Sequence, residues 1–166
     1  MLRSELTLRL ITAAVAVPLL VGVILAGSEL TAAVLALALS VAYLEFMSAG
    51  NVRLRDPLVW VGVAGIGALA GAAASPDIPL AWPLTAAVIA LLATPVMEEL
   101  VRRERRDLLD AAPSVAEVWR ATGLAIVGLV YIGWLGAFAV LLRKLPAGDE
   151  WLLLALFSVI LTDTGA

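Results

Sequence analysis

The sequence predicts an all-α fold, a polytopic integral membrane helix bundle with about five full transmembrane helices and a truncated sixth. Two observations carry this prediction. First, 63% of the residues are hydrophobic and 15% are charged, whereas soluble domains have about 45–50% and about 25%. A core of this size cannot enclose that surplus, so a bilayer must act as its solvent. Second, the apolar residues form long runs rich in Ala and Leu, which favour helix over strand.

Five of these runs are long enough to span a bilayer, which needs roughly 20 residues per helix. A sixth run is shorter and stands at the end of the given sequence. We therefore expect residues 1–166 to form a single membrane domain that is the N-terminal part of a longer protein. The five runs and the short sixth are residues 10–27, 30–47, 58–74, 84–97, 122–142 and 151–161.

The basic residues predict how the bundle is oriented. With a cytoplasmic N-terminus, nine of the 11 Lys and Arg residues fall on the cytoplasmic side, as positively charged loops prefer. This predicts a multi-pass protein of the cell (inner or plasma) membrane. The nine are Arg3, Arg9, Arg53, Arg55, Arg102, Arg103, Arg105, Arg106 and Arg120, and the other two are Arg143 and Lys144. Four tryptophans near span ends predict an interfacial belt: Trp60, Trp82, Trp134 and Trp151.

Residues 98–120 form the one long polar segment, which is predicted to be cytoplasmic. Glu98 and Arg102 have the i,i+4 spacing of a stabilising ion pair on a helix. One interpretation is a solvated helix that extends the fourth span. The alternative is an amphipathic segment that lies on anionic lipid headgroups. Ser114 followed by Glu117 has the spacing of a capping box and predicts a new helix start.

Glycines within the spans predict sites of close helix packing. Gly67 and Gly71 have the Gly-x-x-x-Gly spacing that lets two membrane helices approach closely. Gly133 and Gly136 predict a second such site in the fifth span. Tyr131, which precedes them, is predicted to form a hydrogen bond inside the bundle.

The composition restricts the chemistry that the chain can perform. It contains no Cys and no His, which removes thiolates and the usual general base. Asp163 stands at the end of an apolar run, where a carboxylate is costly and therefore indicates a functional site. Its carboxylate can hold Mg²⁺, and the hydroxyls of Thr162 and Thr164 can bond the metal or a phosphate oxygen. The alternative is a helix-terminal Asp exposed to water.

Glu45 is the second candidate acid. It lies near the cytoplasmic end of the second span, on the same predicted side as Asp163. One interpretation is a carboxylate that faces a cavity shared with Asp163 and orients a basic side chain. The other is a Glu that reaches the membrane interface or neutralises a nearby Arg. The sequence leaves both open.

Four short motifs, taken together, resemble the N-terminal part of the phosphatidate cytidylyltransferase (CDP-diglyceride synthetase) family. The last of them is the most specific, because it resembles the start of an Asp-Thr-Gly/Ala-Ala-Tyr element. The resemblance covers the whole given chain but only the first part of a family member. The motifs are Leu8-Arg9-Leu-Ile-Thr-Ala13 with Pro18, Tyr43-Leu-Glu45-Phe46, Tyr131-Ile-Gly133 and Thr162-Asp163-Thr-Gly-Ala166.

The resemblance implies a membrane nucleotidyltransferase of phospholipid biosynthesis that converts CTP and phosphatidate to CDP-diacylglycerol and pyrophosphate with Mg²⁺. It implies that Asp163 belongs to a metal-binding active site. The predicted site is therefore Asp163 as catalytic residue and metal ligand, with Thr162, Thr164 and Glu45 as substrate-binding residues. The predicted partners are CTP, phosphatidate and membrane lipids, with no nucleic acid, and a homodimer is an open alternative.

The family's further signature, Ser-x-Lys-Arg … Lys-Asp … His-Gly-Gly … Asp-Arg, would follow Asp163 and is not among the given residues. The resemblance therefore implies that the isolated 166-residue chain is inactive. One alternative function is a CTP-dependent lipid kinase of a related family. Another is a non-enzymatic membrane transporter or assembly subunit. A transporter is expected to carry polar residues deep in several spans, whereas the candidate acids here sit near one face.

Overall fold

Helices make up nearly all of the part of the chain that the structure describes. The computed structural model describes residues 16–104 and 114–165, with side chains for residues 16–101 and 114–162. Within these residues, a six-residue π-helical segment, Leu129–Trp134, joins the fifth of seven α-helices to the sixth. The predicted all-α class is confirmed. The helices are α1 (Ala16–Ala26), α2 (Ser28–Ala49), α3 (Pro57–Ala74), α4 (Ala81–Glu104), α5 (Val115–Gly128), α6 (Leu135–Arg143) and α7 (Gly148–Gly165).

Four of the described segments are long and apolar enough to cross a membrane. They are α2, α3, the part of α4 up to Val101, and the continuous run Val115–Arg143. The described part of α1 is a shorter apolar helix, and residues 10–15 of the predicted first span lie outside the described residues. The predicted sixth span, residues 151–161, belongs to a longer helix, α7. This helix carries Asp149 and Glu150 in its first turn. The chain is therefore a helical membrane protein.

The antiparallel order of the helices places their ends on two faces. We call one the Arg53 face; it contains the 50–56 loop, the C-terminal end of α4 and the start of α5. The opposite Arg143 face contains Gly27, the 75–80 turn and residues 144–147. α7 begins at the Arg143 face and runs back for about 27 Å, at 1.5 Å per residue. Asp163 therefore lies towards the Arg53 face.

The predicted polar segment 98–120 is described only in part. α4 continues without a break through Pro95 to Glu104, which agrees with a helical extension of the fourth span. Residues 105–113, including Arg105 and Arg106, lie outside the described residues, as do Arg3 and Arg9. The interpretation that this segment lies on lipid headgroups stays a prediction.

Three cationic side chains tie the ends of neighbouring helices together. On the Arg53 face, Arg120 Nη1 donates to the carbonyl oxygen of Gly50 at 2.6 Å, just beyond the end of α2. On the Arg143 face, Arg143 Nε donates to the carbonyl oxygen of Ile24 at 3.0 Å. Lys144 Nζ donates to the last carbonyl oxygen of α3. A cation at the C-terminal end of a helix satisfies an unpaired carbonyl and opposes the helix dipole.

The core lies where α2, α3 and α5 meet, and Tyr43 fills its centre. Tyr43 is fully buried, and its hydroxyl has no hydrogen-bond partner among the described residues. Its ring fits because two glycines face it. A Cβ at Gly62 would overlap the tyrosine hydroxyl, and a Cβ at Gly128 would lie 2.9 Å from Tyr43 Cε2. A larger residue at either position would push these helices apart.

The predicted close packing at Gly133 and Gly136 is confirmed. A Cβ at Gly133 would lie 2.9 Å from Ile66 Cγ1, and one at Gly136 would lie 2.6 Å from Leu39 Cδ1. The two glycines therefore let the fifth span approach α3 and α2. Neither position has room for a side chain without a shift of its neighbour.

Two other predictions for the span interiors are wrong for the described residues. A Cβ at Gly67 or Gly71 would meet nothing within 4 Å, so neither glycine brings a described helix close. Both instead line an open groove beside α2. Tyr131 is 70% exposed and forms no hydrogen bond with a described residue, so it does not bond inside this bundle.

The tryptophan belt is present in part. Trp60, Trp82 and Trp151 are exposed and lie within the first turns of their helices. Trp134 instead lies in the π-helical segment, in the middle of the span, where its ring meets Phe138 edge-on at 5.7 Å between centroids. The prediction is wrong at Trp134, because the span continues without a break on both sides of this residue, from Val115 to Arg143.

The π-helical segment keeps one row of residues on the buried side of the fifth span. Ala125, Leu129, Gly133 and Ala137 are buried at every fourth position. In a regular α-helix a step of four residues overshoots one turn by about 40°, so such a row drifts around the helix. A π turn is wider, with i→i+5 bonding, and it offsets this drift.

Candidate functional site

The residues predicted to carry chemistry lie towards the Arg53 face. Asp163 belongs to the last turn of α7. Its side chain and that of Thr164 lie outside the described side chains, and Ala166 lies outside the described residues. The structure thus fixes the helix that carries Asp163, whereas the catalytic and metal-binding roles of Asp163 stay predictions.

Thr162 lies beside Asp163 on the exposed surface of α7. Its hydroxyl donates to the carbonyl oxygen of Ser158 at 2.7 Å, and the Ser158 hydroxyl donates to that of Leu154 at 2.7 Å. These two hydroxyls lie one turn apart and give an otherwise apolar helix a polar strip that ends next to Asp163. In this arrangement Thr162 offers oxygen lone pairs and no proton. It suits a cation or a donor group better than a phosphate oxygen.

Glu45 lies one turn before the end of α2, and its side chain is exposed. It forms no hydrogen bond or ion pair with a described residue, so the interpretation that it neutralises a nearby Arg is not realised in the described part. α7 packs along α6, whereas α2 packs chiefly against α3. This packing does not itself bring Glu45 and Asp163 together, so their meeting in one cavity stays a prediction.

The described residues contain no group of three or more acidic side chains that could hold a metal ion. Magnesium does not require such a group, because proteins commonly hold it through one or two carboxylates together with the phosphates of the substrate. A chain without His or Cys offers only hard oxygen ligands, which suit this ion. A single carboxylate at Asp163 fits that mode of binding.

The 50–56 loop carries a feature that the sequence prediction missed. Arg53 and Arg55 are exposed and make no ion pair with a described residue. Their neighbour Asp56 is committed elsewhere, because its carboxylate caps α3 by accepting from the Leu58 backbone N–H at 2.9 Å. The sequence showed these arginines only as an orientation signal. The Asp-Pro pair that starts α3 could have indicated that the intervening acid is not their partner.

Comparison with known proteins shows which family the chain belongs to. The chain matches the cytidylyltransferase family over residues 7–166. No curated protein and no solved structure matches it at a significant level. The match includes the described membrane helices and the segment around Asp163, and it confirms the resemblance found in the short motifs. The chain therefore belongs to the cytidylyltransferase family, the nucleotidyltransferases that take CTP as a substrate.

Proposed function

We propose that this protein acts as a phosphatidate cytidylyltransferase, which transfers CMP from CTP to phosphatidate. The family match over residues 7–166 carries the proposal, because it supports CTP as the cytidylyl donor. The four membrane-spanning segments support a lipid acceptor, since an enzyme acting on a bilayer component must reach the bilayer surface. Phosphatidate supplies the phosphate that such a transfer requires.

The proposed reaction exchanges one phosphoanhydride bond for another. A phosphate oxygen of phosphatidate attacks the α-phosphorus of CTP and forms the new P–O–P bond of CDP-diacylglycerol. The bond from the α-phosphorus to the oxygen bridging the β-phosphorus breaks, and its electron pair leaves with pyrophosphate. No covalent intermediate with the enzyme is required. The protein's task is to align two polyanions and to offset their charge.

Asp163 is the residue to which we assign the central role. Its carboxylate, with oxygen donors nearby, would hold Mg²⁺, which when bound clamps nucleotide phosphates and offsets their charge. Thr162 supports this with lone pairs that point away from its own proton, which is committed to the Ser158 carbonyl. Glu45 is assigned to the same face as a residue that orients a cationic group.

The test is Asp163→Asn in the intact protein in its host membrane. Loss of a metal ligand is expected to reduce CDP-diacylglycerol formation by more than about 100-fold, because even groups that only support a ligand are worth 10–100-fold. Membrane insertion should be unchanged. The matched control is Asp77→Asn, an exposed acid in the turn on the Arg143 face. Near-normal turnover by the Asp163 variant would contradict the assignment.

The position of the transferred phosphorus separates this proposal from a CTP-dependent lipid kinase. With CTP labelled at the α-phosphate, cytidylyl transfer puts the label into the lipid and leaves unlabelled pyrophosphate. With CTP labelled at the γ-phosphate, only a kinase labels the lipid. Lipid labelled from the γ position would overturn the proposed acceptor chemistry while leaving the use of CTP intact.

A further inference from the structure

A groove between α3 and α4 opens at the Arg53 face. Its volume is ≈ 620 Å³, within the range of about 300–1,000 Å³ that is usual for small-molecule sites. Two residues of α3 form one wall and six residues of α4 form the other. Glu98 is the one charged residue among them. The lining residues are Pro57, Val61, Ala90, Ala93, Thr94, Met97, Glu98 and Val101.

The groove has the depth of one leaflet and an apolar interior. From Val101 to Ala90 it follows α4 for about 16 Å, at 1.5 Å per residue, which is about half of a 30 Å hydrocarbon core. Ala90 and Ala93 leave space because their side chains are short. The Thr94 hydroxyl is satisfied by the carbonyl oxygen of Ala90 at 2.8 Å, so it presents no free donor. An acyl chain fits these walls.

The mouth of the groove lies beside two cationic side chains. Arg53 and Arg55 precede Pro57, which lines the groove, by four and two residues. Both are exposed and unpaired among the described residues, because Asp56 is occupied in capping α3. Guanidinium groups bind phosphate oxygens in a bidentate manner. Glu98, the one acid of the lining, has an interaction partner of its own.

Exposed apolar side chains lie beside these two arginines. Leu54 lies between them and is 44% exposed. Trp119, on the first turns of α5, is exposed at the same face, and the Arg120–Gly50 hydrogen bond holds α5 against this loop. Exposed Trp and Leu beside Arg are typical of the headgroup boundary.

We propose that this site binds one anionic phospholipid, with its phosphate on Arg53 and Arg55 and one acyl chain in the groove between α3 and α4. A zwitterionic lipid adds a cation beside the phosphate, so the arginines attract it less. Each arginine near the surface is worth a factor of roughly five to six, so two arginines give a preference of about 30-fold. The proposal does not depend on which lipid accepts the cytidylyl group.

The test measures lipid retention by the purified full chain in detergent with native mass spectrometry. The probes are phosphatidylglycerol and phosphatidylcholine with identical acyl chains. Wild-type protein should retain phosphatidylglycerol about 30-fold better, and the double variant Arg53→Gln, Arg55→Gln should lose that preference. Ala93→Leu should reduce retention of both lipids, because it fills the groove. The matched control is Ala33→Leu, which lines the separate groove between α2 and α3.

A second measurement keeps the proposal testable if a variant does not fold. In wild-type protein, a phosphatidylglycerol with a photoreactive acyl chain should label Val61 or Met97 in preference to exposed residues of α7. Equal retention of the two lipids by wild-type protein would overturn the proposal, as would labelling spread evenly over α4 and α7. Displacement by soluble glycerol 3-phosphate at concentrations matching the lipid would also overturn it, since the site would then recognise a free phosphate.

Discussion

At the scale of single residues, Tyr43 shows how one buried side chain sets the spacing of three helices. Its ring occupies the space that Gly62 and Gly128 leave open. Its hydroxyl is buried without a described partner, which costs on the order of 1–3 kcal/mol. The aromatic ring must therefore contribute enough packing to outweigh that cost. Gly62 is thus required by shape, whereas Gly67 on the same helix faces open space.

This contrast predicts different outcomes for two substitutions on α3. Gly62→Ala should lower the thermal unfolding temperature of the purified protein in detergent, because over-packing a filled core costs about 1–3 kcal/mol. Gly67→Ala should leave it unchanged or raise it slightly, because the new methyl group meets nothing within 4 Å and Ala favours helix. Equal shifts for the two variants would contradict the packing described for Tyr43.

The same residues show where sequence reasoning stops. The spacing of Gly67 and Gly71 indicated that another helix could pack closely there. The spacing does not show whether a helix of the bundle packs against these two glycines. Tyr131 was expected inside the bundle because it is polar, yet its position on the fifth span points it outward. Close packing at Gly133 was predicted correctly. Which residues of two helices come into contact depends on how each helix is rotated about its axis, and local sequence patterns do not determine that rotation.

At the scale of elements, the start of α5 was predicted correctly because its determinants are local. Glu117 N–H donates to Ser114 Oγ at 3.2 Å, and Ser114 N–H donates to Glu117 Oε2 at 2.8 Å. These are the two reciprocal bonds of a capping box. The cap holds the helix start that also presents Trp119 and Arg120 to the Arg53 face. A local motif therefore positions a long-range contact.

Removing this cap should loosen the first turn of α5. Ser114→Ala removes the side-chain acceptor at a cost of about 1 kcal/mol, which corresponds to roughly fivefold faster local opening. Hydrogen exchange of the amides of Glu117 and Val118 should accelerate by that factor, while the amides of α3 stay protected. Ser40→Ala is the control, because the Ser40 hydroxyl only returns to the carbonyl oxygen of Ala36 within α2. Unchanged exchange at α5 would show that the cap is dispensable.

At the scale of the whole molecule, the two faces use their positive charges differently. Arg143 and Lys144 are committed to the ends of other helices. Arg53 and Arg55 remain available to the surroundings. The positive-inside rule counts Lys and Arg beside the span ends, and among the described side chains the Arg53 face carries Arg53, Arg55 and Arg120 against Arg143 and Lys144 on the other face. This asymmetry supports a cytoplasmic Arg53 face, on which the proposed use of CTP by Asp163 depends.

The orientation can be measured directly because the chain contains no Cys. Single substitutions Ser48→Cys and Asp77→Cys place one thiol at each face. In intact cells, a membrane-impermeant maleimide should label Asp77→Cys and leave Ser48→Cys unlabelled. After the membrane is opened, both should react. Labelling of Ser48→Cys in intact cells would reverse the topology and remove cytoplasmic CTP from the reach of Asp163.

The membrane bundle as a whole was largely predictable, because length and apolar composition determine spans almost without tertiary context. The family was also predictable, from short motifs around Tyr43, Tyr131 and Asp163. The groove between α3 and α4 was not, because it depends on how the two helices pack and on where the short side chains of Ala90 and Ala93 fall between them. The pairing of Arg120 with Gly50 was equally hidden, since the two are 70 residues apart in sequence.

The π-helical segment, Leu129–Trp134, determines how the helices that follow it are rotated relative to α5. Each residue in a helix turns the chain by about 100°. The wider π turn holds one residue more than an α-helix of the same rotation, so refolding Leu129–Trp134 as regular α-helix without removing a residue would turn α6 about its axis by roughly that amount. Ala137 and Val140 would leave the core, and α7 would be carried to a different side of the bundle together with Asp163. The wide turn therefore determines which side of the bundle carries the distant acid.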